Sequence, residues 1–128
     1  MAEMSNYLEN ALLNVTLRAT AYTAPAAVYV GLYTTDPTDA NTGTEVSGGS
    51  YARTAVTFGA PSNGVTTNSG AVTFPTATGT WGTVGWIGIL DAATSGNLLY
   101  HTPLTASKSI TSGDIFTISV GNLSVTLE

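Results

Sequence analysis

Apolar and polar residues follow a helical spacing only at the start of the chain. Leu8, Leu12 and Val15 recur at intervals of three or four residues, and Ser5 precedes them as a candidate N-cap. The stretch "TAYTAP" then favours extended backbone, because proline disfavours helical geometry in the residue before it. The pattern therefore predicts one amphipathic helix within residues 1–24. Its apolar stripe comprises Leu8, Ala11, Leu12, Val15 and Ala19, with Leu13 and Leu17 widening it.

From residue 25 onward the pattern changes to alternation. "VYVGLYT" (28–34) predicts a first strand, and "TWGTVGWIGILD" (80–91) is apolar on both faces, which predicts a central strand. Asn63-Gly64 is a step that commonly closes hairpins. Pro103 within "LLYHTPL" indicates a sheet edge or a strand end, since proline has no amide hydrogen to donate to a neighbouring strand.

The spacing of strands and turns predicts the fold class. About seven or eight short strands follow the helix at intervals of about 8–12 residues. Such spacing is typical of a mainly β protein, here an antiparallel β-sandwich or a jelly-roll-like barrel with one N-terminal helix. We expect residues 25–128 to form the sandwich and residues 1–24 to add the helix, so that the chain is one compact domain.

Composition excludes several function classes. The 128 residues contain three basic and eight acidic residues, which give a net charge of −5, and there is no cysteine. Disulfides and thiolate metal sites are therefore absent from the chemistry of this chain. Three basic residues cannot neutralise many phosphates, so we expect no nucleic-acid partner and no binding to anionic membranes. No basic stretch precedes an apolar run near residue 1, so we expect no signal peptide, and no apolar run has the length that a membrane span needs.

Few residues offer catalytic chemistry. His101 is the single histidine, no carboxylate is spaced locally to orient it, and no G-x-S-x-G motif is present. A catalytic triad would require the fold to bring a distant acid to this ring. We therefore interpret His101 as a histidine on a strand face, and we expect a protein that is not an enzyme and uses no cofactor.

One polar loop is a weak candidate for a metal site. "TDPTDANTGTE" places several oxygen donors on a glycine-containing loop, which suits calcium. The spacing does not match the EF-hand pattern, and solvent exposure explains the polarity equally well. The candidate ligands are Asp36, Asp39, Asn41 and Glu45.

Apolar and aromatic residues suggest where partners bind. Alternation places Trp81 and Trp86 on opposite faces of one strand. They could form a sugar-stacking platform; in the simpler interpretation one fills the core and the other packs under the helix or against a partner. Candidate contact residues are Tyr7, Leu8, Leu12, Val15, Trp81 and Trp86. We expect the helix stripe to be covered by the sandwich or by a contact with another chain.

Several stretches resemble one family along almost the whole chain. They are "NYLENALLN", "LYTTDPTDA", "TEVSGGSYARTAVTFGA", "WIGILDAA", "GNLLYH" and "SGD". The chain resembles small virion proteins of tailed bacteriophages, including cyanophages, which are often labelled tail fiber proteins. The resemblance implies a location in the virion after synthesis in the host cytoplasm.

The resemblance leaves two functions open. A shaft and a tail-attachment module do not fit in this length, which favours a capsid decoration or cement protein that bridges major capsid subunits. Such a protein would form a symmetric homo-oligomer, with a trimer favoured, and would stabilise the shell by mass action. The alternative is a tail fibre or tail-tip module that binds a receptor.

Overall fold

The computed structural model of the protein describes residues 2–127 and contains one helix and nine strands. In chain order the elements are β1 (Glu3–Met4), α1 (Asn6–Leu17), β2 (Val28–Tyr33), β3 (Thr54–Val56), β4 (Val65–Thr67), β5 (Val72–Thr73), β6 (Gly82–Leu90), β7 (Leu98–Ile110), β8 (Thr117–Ile118) and β9 (Ser124–Thr126). The predicted class, mainly β with one N-terminal helix, is confirmed.

The strands form three antiparallel sheets that stack as a sandwich and do not close into a barrel. The main sheet has the order β1-β7-β6-β2-β3, and the pairs β4-β9 and β5-β8 form the two small sheets. The described residues carry nine strands where the sequence predicts seven or eight. The difference arises mainly from β1, which has two residues, too few for alternation to reveal.

The main core lies between the large sheet and the two small sheets. Its buried side chains come from both layers: Val30, Leu32, Val56, Val72, Phe74, Val84, Ile87, Ile89, Ile110, Ile118, Leu123 and Val125. A smaller cluster of Tyr33, Leu90 and Leu98, with Trp86 packed against it, lies apart from this core. Both faces of β2 and β6 are therefore covered, which explains their nearly continuous apolar sequences.

Ser5 caps the helix as predicted and also attaches it to the sheet. Its Oγ accepts a hydrogen bond from the backbone N of Leu8 at 3.2 Å. The same hydroxyl donates to the carbonyl of Leu98, and the Ser5 backbone N donates to the carbonyl of Leu99 at 2.9 Å. No helix within residues 2–127 has the length and apolar character that crossing a bilayer requires.

β6 occupies the centre of the main sheet, as the sequence predicts, between β2 and β7. Within β6, Gly88 leaves room for the side chains of Leu98 and Tyr33, which lie very close to it. A Cβ atom at this position would lie 2.7 Å from Leu98 Cδ1 and 2.9 Å from Tyr33 Cε1. At Gly85, by contrast, a Cβ would meet nothing within 4 Å.

β7 does not end at Pro103, one of the two possibilities that the sequence raises, but continues to Ile110. The other possibility, a sheet edge, is correct. β1 pairs only with Tyr100 and His101, so Pro103 has a strand partner on one side, where it pairs with Trp86. The register of the β6–β7 pair shifts between Val84 and Trp86, directly before the position where Trp86 faces Pro103.

The predicted hairpin turn at Asn63-Gly64 is also present. Ser62 and Val65 form a bridge around it, and Asn63 and Gly64 adopt φ angles of 52° and 79°. Positive φ at both central residues is the geometry for which the Asn-Gly step is favoured in hairpins.

Candidate functional site

The four candidate calcium ligands do not converge. Asp36 accepts a hydrogen bond from the backbone N of Thr38 at 2.9 Å, and Asn41 Oδ1 accepts one from the Tyr33 hydroxyl at 3.1 Å. Asp39 and Glu45 point to different partners. The loop thus distributes its oxygen atoms over separate contacts, and the four-ligand calcium site suggested by the sequence does not form.

Glu45 belongs to a cluster with Tyr51 and Arg53, which we call the arginine cluster. Arg53 binds the carboxylate with two hydrogen bonds of 2.8 Å, from Nε to Oε2 and from Nη2 to Oε1. Its remaining nitrogen, Nη1, donates to the carbonyls of Ala92 at 2.9 Å and Ser95 at 2.7 Å. Side-chain exposure is only 10% for Arg53 and 24% for Glu45, so this two-point pair is largely shielded from water.

Tyr51 connects the arginine cluster to the core. Its hydroxyl donates to Glu45 Oε2 at 2.6 Å and accepts from the backbone N of Leu32 at 2.9 Å. Its ring meets Trp81 edge-on at a centroid distance of 5.3 Å. Burial, followed by the hydrogen bond to Glu45, strongly raises the pKa of Tyr51. These contacts make the cluster a rigid element of the fold.

His101 lies in a second cluster with Glu3, Asp36 and Asp39, which we call the histidine cluster. Nε2 of His101 is 2.8 Å from Asp39 Oδ1, and Nδ1 is 3.9 Å from Asp36 Oδ1. The His101 side chain is only 6% exposed, whereas Asp36 and Asp39 are 54% and 48% exposed. The cluster therefore combines a buried imidazole with carboxylates that face solvent.

No local pattern around His101 indicates this arrangement, because the carboxylates come from elsewhere in the chain. Asp39 is 62 residues from His101 and reaches it from the loop after β2. Glu3 is the residue directly opposite His101 in the pairing of β1 with β7. Glu3 could be placed beside His101 only by predicting that β1 exists and pairs with β7. β1 is too short to predict.

Two of the six candidate contact residues are buried within the chain. Leu8 is 5% exposed and Trp81 is 4% exposed, so neither offers surface to a partner. Trp81 instead fills the core, and its Nε1 donates to the carbonyl of Gly49 at 2.8 Å. The idea that Trp81 and Trp86 form a shared stacking platform is wrong for the same reason.

The other four candidates keep some exposure. Tyr7 and Val15 are 41% and 39% exposed, Leu12 is half-buried, and Trp86 packs partly against the smaller cluster. Two helix residues outside the candidate set are more exposed still, Leu13 at 56% and Leu17 at 76%. The sheet thus buries the helix mainly through Leu8, and most of the apolar stripe is not covered by this chain.

The described residues satisfy their buried polar groups internally. Every buried side-chain nitrogen and oxygen in residues 2–127 has a hydrogen-bond partner. The arginine cluster neutralises its own charge, while the histidine cluster is open to solvent on the carboxylate side. The open carboxylates and the exposed helix residues are thus groups that solvent, or another molecule, can reach.

Comparison with known proteins gives the family. The model of the family described as Podophage GP4 fiber I protein gp80 matches residues 3–126. A search of curated proteins gives no match. The family description concerns a bacteriophage fibre, which agrees with the virion protein that the sequence motifs resemble. Since the match spans nearly the whole chain, the protein belongs to the Podophage GP4 fiber I protein gp80 family and is a structural protein of a phage virion.

Proposed function

We propose that this protein is a building block of a phage tail fibre and acts by binding other virion proteins, without catalysis. The observation that carries the proposal is the fibre-family match over residues 3–126. The arginine cluster agrees with a structural role, because its charged groups pair with each other within the fold. We thus favour a location in the tail fibre over capsid decoration. The sequence alone left the tail fibre as the alternative.

The location of the protein in the intact particle tests this choice. We expect cryo-EM maps of purified virions to contain the sandwich in fibres attached to the tail, at a low copy number per particle. Antibody labelling of whole particles should give the same location. Density repeated across the capsid lattice in hundreds of copies would contradict the fibre proposal and support the decoration hypothesis instead.

We further propose that a second copy of this chain covers the exposed side of α1. Asn6, Asn10, Leu13 and Leu17 follow one another at helical spacing, and we call them the helix ridge. Leu13 and Leu17 are the most exposed apolar side chains of the helix. Apolar side chains that protrude this far gain free energy when a partner removes them from water.

The uncharged side chains of the helix ridge permit a second copy as that partner. The chain carries a net charge of −5, so two copies repel each other over most orientations. The helix ridge itself contains no charged residue, and Glu9 is the one charge within Asn6–Leu17. Copies that meet at Leu13 and Leu17 would bring only Glu9 of this helix near the contact. The two leucines would form the apolar centre of the contact and the asparagines its polar rim.

Light scattering after size-exclusion chromatography tests self-association. We expect the wild-type chain to form a homo-oligomer, with a trimer favoured, and the double variant Leu13→Ser/Leu17→Ser to be monomeric. The matched control is Ile115→Ser/Val120→Ser, which removes two side chains of 57% and 60% exposure elsewhere on the surface. A wild-type monomer at the highest soluble concentration, or an unchanged mass for the helix variant, would overturn the ridge proposal. The fibre location is tested separately by the particle map.

A further inference from the structure

Three potential metal ligands from three parts of the chain converge beside β1. One carboxylate oxygen each from Glu3 and Asp39 and one ring nitrogen of His101 all lie within 4.8 Å of one another. Within residues 2–127 no other three histidine or acidic side chains come together in this way. One imidazole with two carboxylates is a donor set that suits a divalent first-row transition metal.

The backbone holds the three ligands in place. Glu3 and His101 are directly opposite each other in the antiparallel pair of β1 and β7. The Asp39 segment is fixed to the start of the helix, because the backbone N of Asn6 donates to the Asp39 carbonyl at 2.9 Å. The imidazole is almost completely buried, so its ring has little freedom to turn away. The site is therefore organised by the fold before a ligand arrives.

Small side-chain movements would bring the donor atoms to bonding geometry. Zinc bonds to nitrogen and oxygen are about 2.1 Å long, which places ligand atoms about 3.4 Å apart in a tetrahedron. The 2.8 Å contact between His101 and Asp39 must open slightly, and the more distant pairs must approach. Glu3 and Asp39 are exposed side chains and can make these adjustments by rotation.

Asp36 occupies the position of an outer carboxylate. It lies 3.9 Å from Nδ1, the ring nitrogen that points away from Asp39. A metal-bound histidine commonly orients its other N–H toward a carboxylate, which fixes the ring and makes it a better donor. The backbone N of Thr38 in turn holds Asp36 Oδ1 at 2.9 Å.

The charge of the cluster also favours a cation. Three carboxylates surround one imidazole, and no lysine or arginine forms an ion pair with any of them in the part of the chain that the structure describes. A divalent ion would offset this excess of negative charge. The imidazole distinguishes the site from one made for calcium, which prefers oxygen ligands alone.

We propose that Glu3, Asp39 and His101 bind one divalent transition-metal ion, of which zinc is the model, with water completing its coordination. The ion links β1, the loop after β2 and β7, so its binding fastens the N-terminal strand to the main sheet. This inference stands independently of the fibre proposal, since a cation site of this kind would stabilise the fold in any location.

Calorimetric titration of the tag-free chain with zinc tests the proposal. We expect one zinc ion per chain, and at least about tenfold weaker binding for Glu3→Gln and for Asp39→Asn. Asp36→Asn should weaken binding to a smaller extent, and the exposed helix variant Glu9→Gln is the control that should bind like the wild type. Cobalt titration provides a second readout, because visible absorption bands should appear in the wild type and be lost in Glu3→Gln.

Three results would overturn the proposal. The first is binding of less than one zinc ion per chain, and the second is equal affinity in the wild type and in both ligand variants. The third is displacement of zinc by calcium at comparable concentration, which would mean that the imidazole does not determine which metal binds. Circular dichroism of each variant verifies folding, and Glu3→Gln keeps the test valid if Asp39→Asn does not fold, because Glu3 is exposed.

Discussion

The arginine cluster and the histidine cluster both use carboxylates of the loop after β2, to which the histidine cluster adds Glu3 of β1, yet the two clusters neutralise them differently. Glu45 meets a guanidinium that matches both of its oxygens, and Tyr51 adds a third hydrogen bond. Asp39 has one 2.8 Å contact with a ring that is neutral or charged according to its protonation. The first cluster is complete within the chain, and the second leaves donor atoms directed at solvent.

The carboxylates of the two clusters differ in their exposure to water, and this difference decides what each cluster does. A carboxylate at 24% exposure needs a permanent partner, because water cannot compensate it fully. Asp39 is 48% exposed, and water can solvate it when the histidine does not. We therefore interpret the arginine cluster as a contributor to stability and the histidine cluster as a binding element.

The largest effect is expected for Arg53→Met. The substitution leaves the Glu45 carboxylate shielded from water without its cation, and we expect the free energy of unfolding to fall by about 3 kcal/mol. Urea denaturation measures this change. Arg18→Met, at the exposed end of the helix, is the control and should change stability by less than about 0.5 kcal/mol. Equal stabilities for the two variants would mean that the arginine cluster is not needed for stability.

Tyr51→Phe should have the next largest effect. The Tyr51 hydroxyl accepts a hydrogen bond from the backbone N of Leu32 and donates one to Glu45. Removing the hydroxyl leaves a buried backbone N–H without its acceptor. We expect a loss of about 2 kcal/mol in the free energy of unfolding. Tyr7→Phe, at a position 41% exposed, is the matched control. A neutral Tyr51→Phe would show that water can enter and replace the hydroxyl.

Alkaline pH should also weaken the fold near the arginine cluster. Burial, and then the charge of Glu45, raises the pKa of Tyr33 to about 12. The unfolded chain releases this proton near pH 10 while the folded chain retains it, so stability is complete below pH 10 and falls as the pH rises toward 12. By pH 11 Tyr33 alone should lower the free energy of unfolding by about 1.4 kcal/mol. Denaturation between pH 9 and pH 11 measures the slope, and Tyr33→Phe should reduce it; an unchanged slope would contradict the assignment.

The smallest effect is expected for Asp39→Asn measured in the presence of a chelator. Its contact with His101 is half-exposed on the carboxylate side, so we expect a loss of less than about 1 kcal/mol. Thermal unfolding with and without zinc extends the comparison, because zinc should raise the melting temperature of the wild type and not of the variant. A chelator-independent loss as large as that of Arg53→Met would mean that the two clusters serve the same structural role.

The two clusters also show why the sequence predicts some features better than others. The Ser5 cap and the central strand β6 depend on neighbouring residues, so their patterns can be seen along the chain. The pairing of His101 with Asp39 joins residues 62 positions apart, and nothing in either segment points to the other. The four candidate calcium ligands show the same limit. Proximity along a loop does not mean convergence, because Asp36 and Asp39 both face His101 whereas Glu45 meets Arg53.

The helix has some features that the local sequence predicts and others that depend on tertiary contacts. Its existence and its start follow from local spacing and capping, but spacing alone could not tell which apolar residues the sheet would cover. The answer, mainly Leu8 with Leu13 and Leu17 left exposed, depends on how Ser5 attaches the helix to β7. That attachment is a tertiary contact.

Local patterns along the chain suffice to predict a mainly β protein with one capped helix, a central apolar strand and few charges. Backbone preferences and the alternation of side chains act over a few residues, so they can be recognised in a short stretch of sequence. Tertiary contacts select the carboxylate that meets Arg53, the carboxylate that meets His101 and the leucines that remain exposed. These contacts depend on strand pairing between distant segments, which brings together residues that share no local pattern.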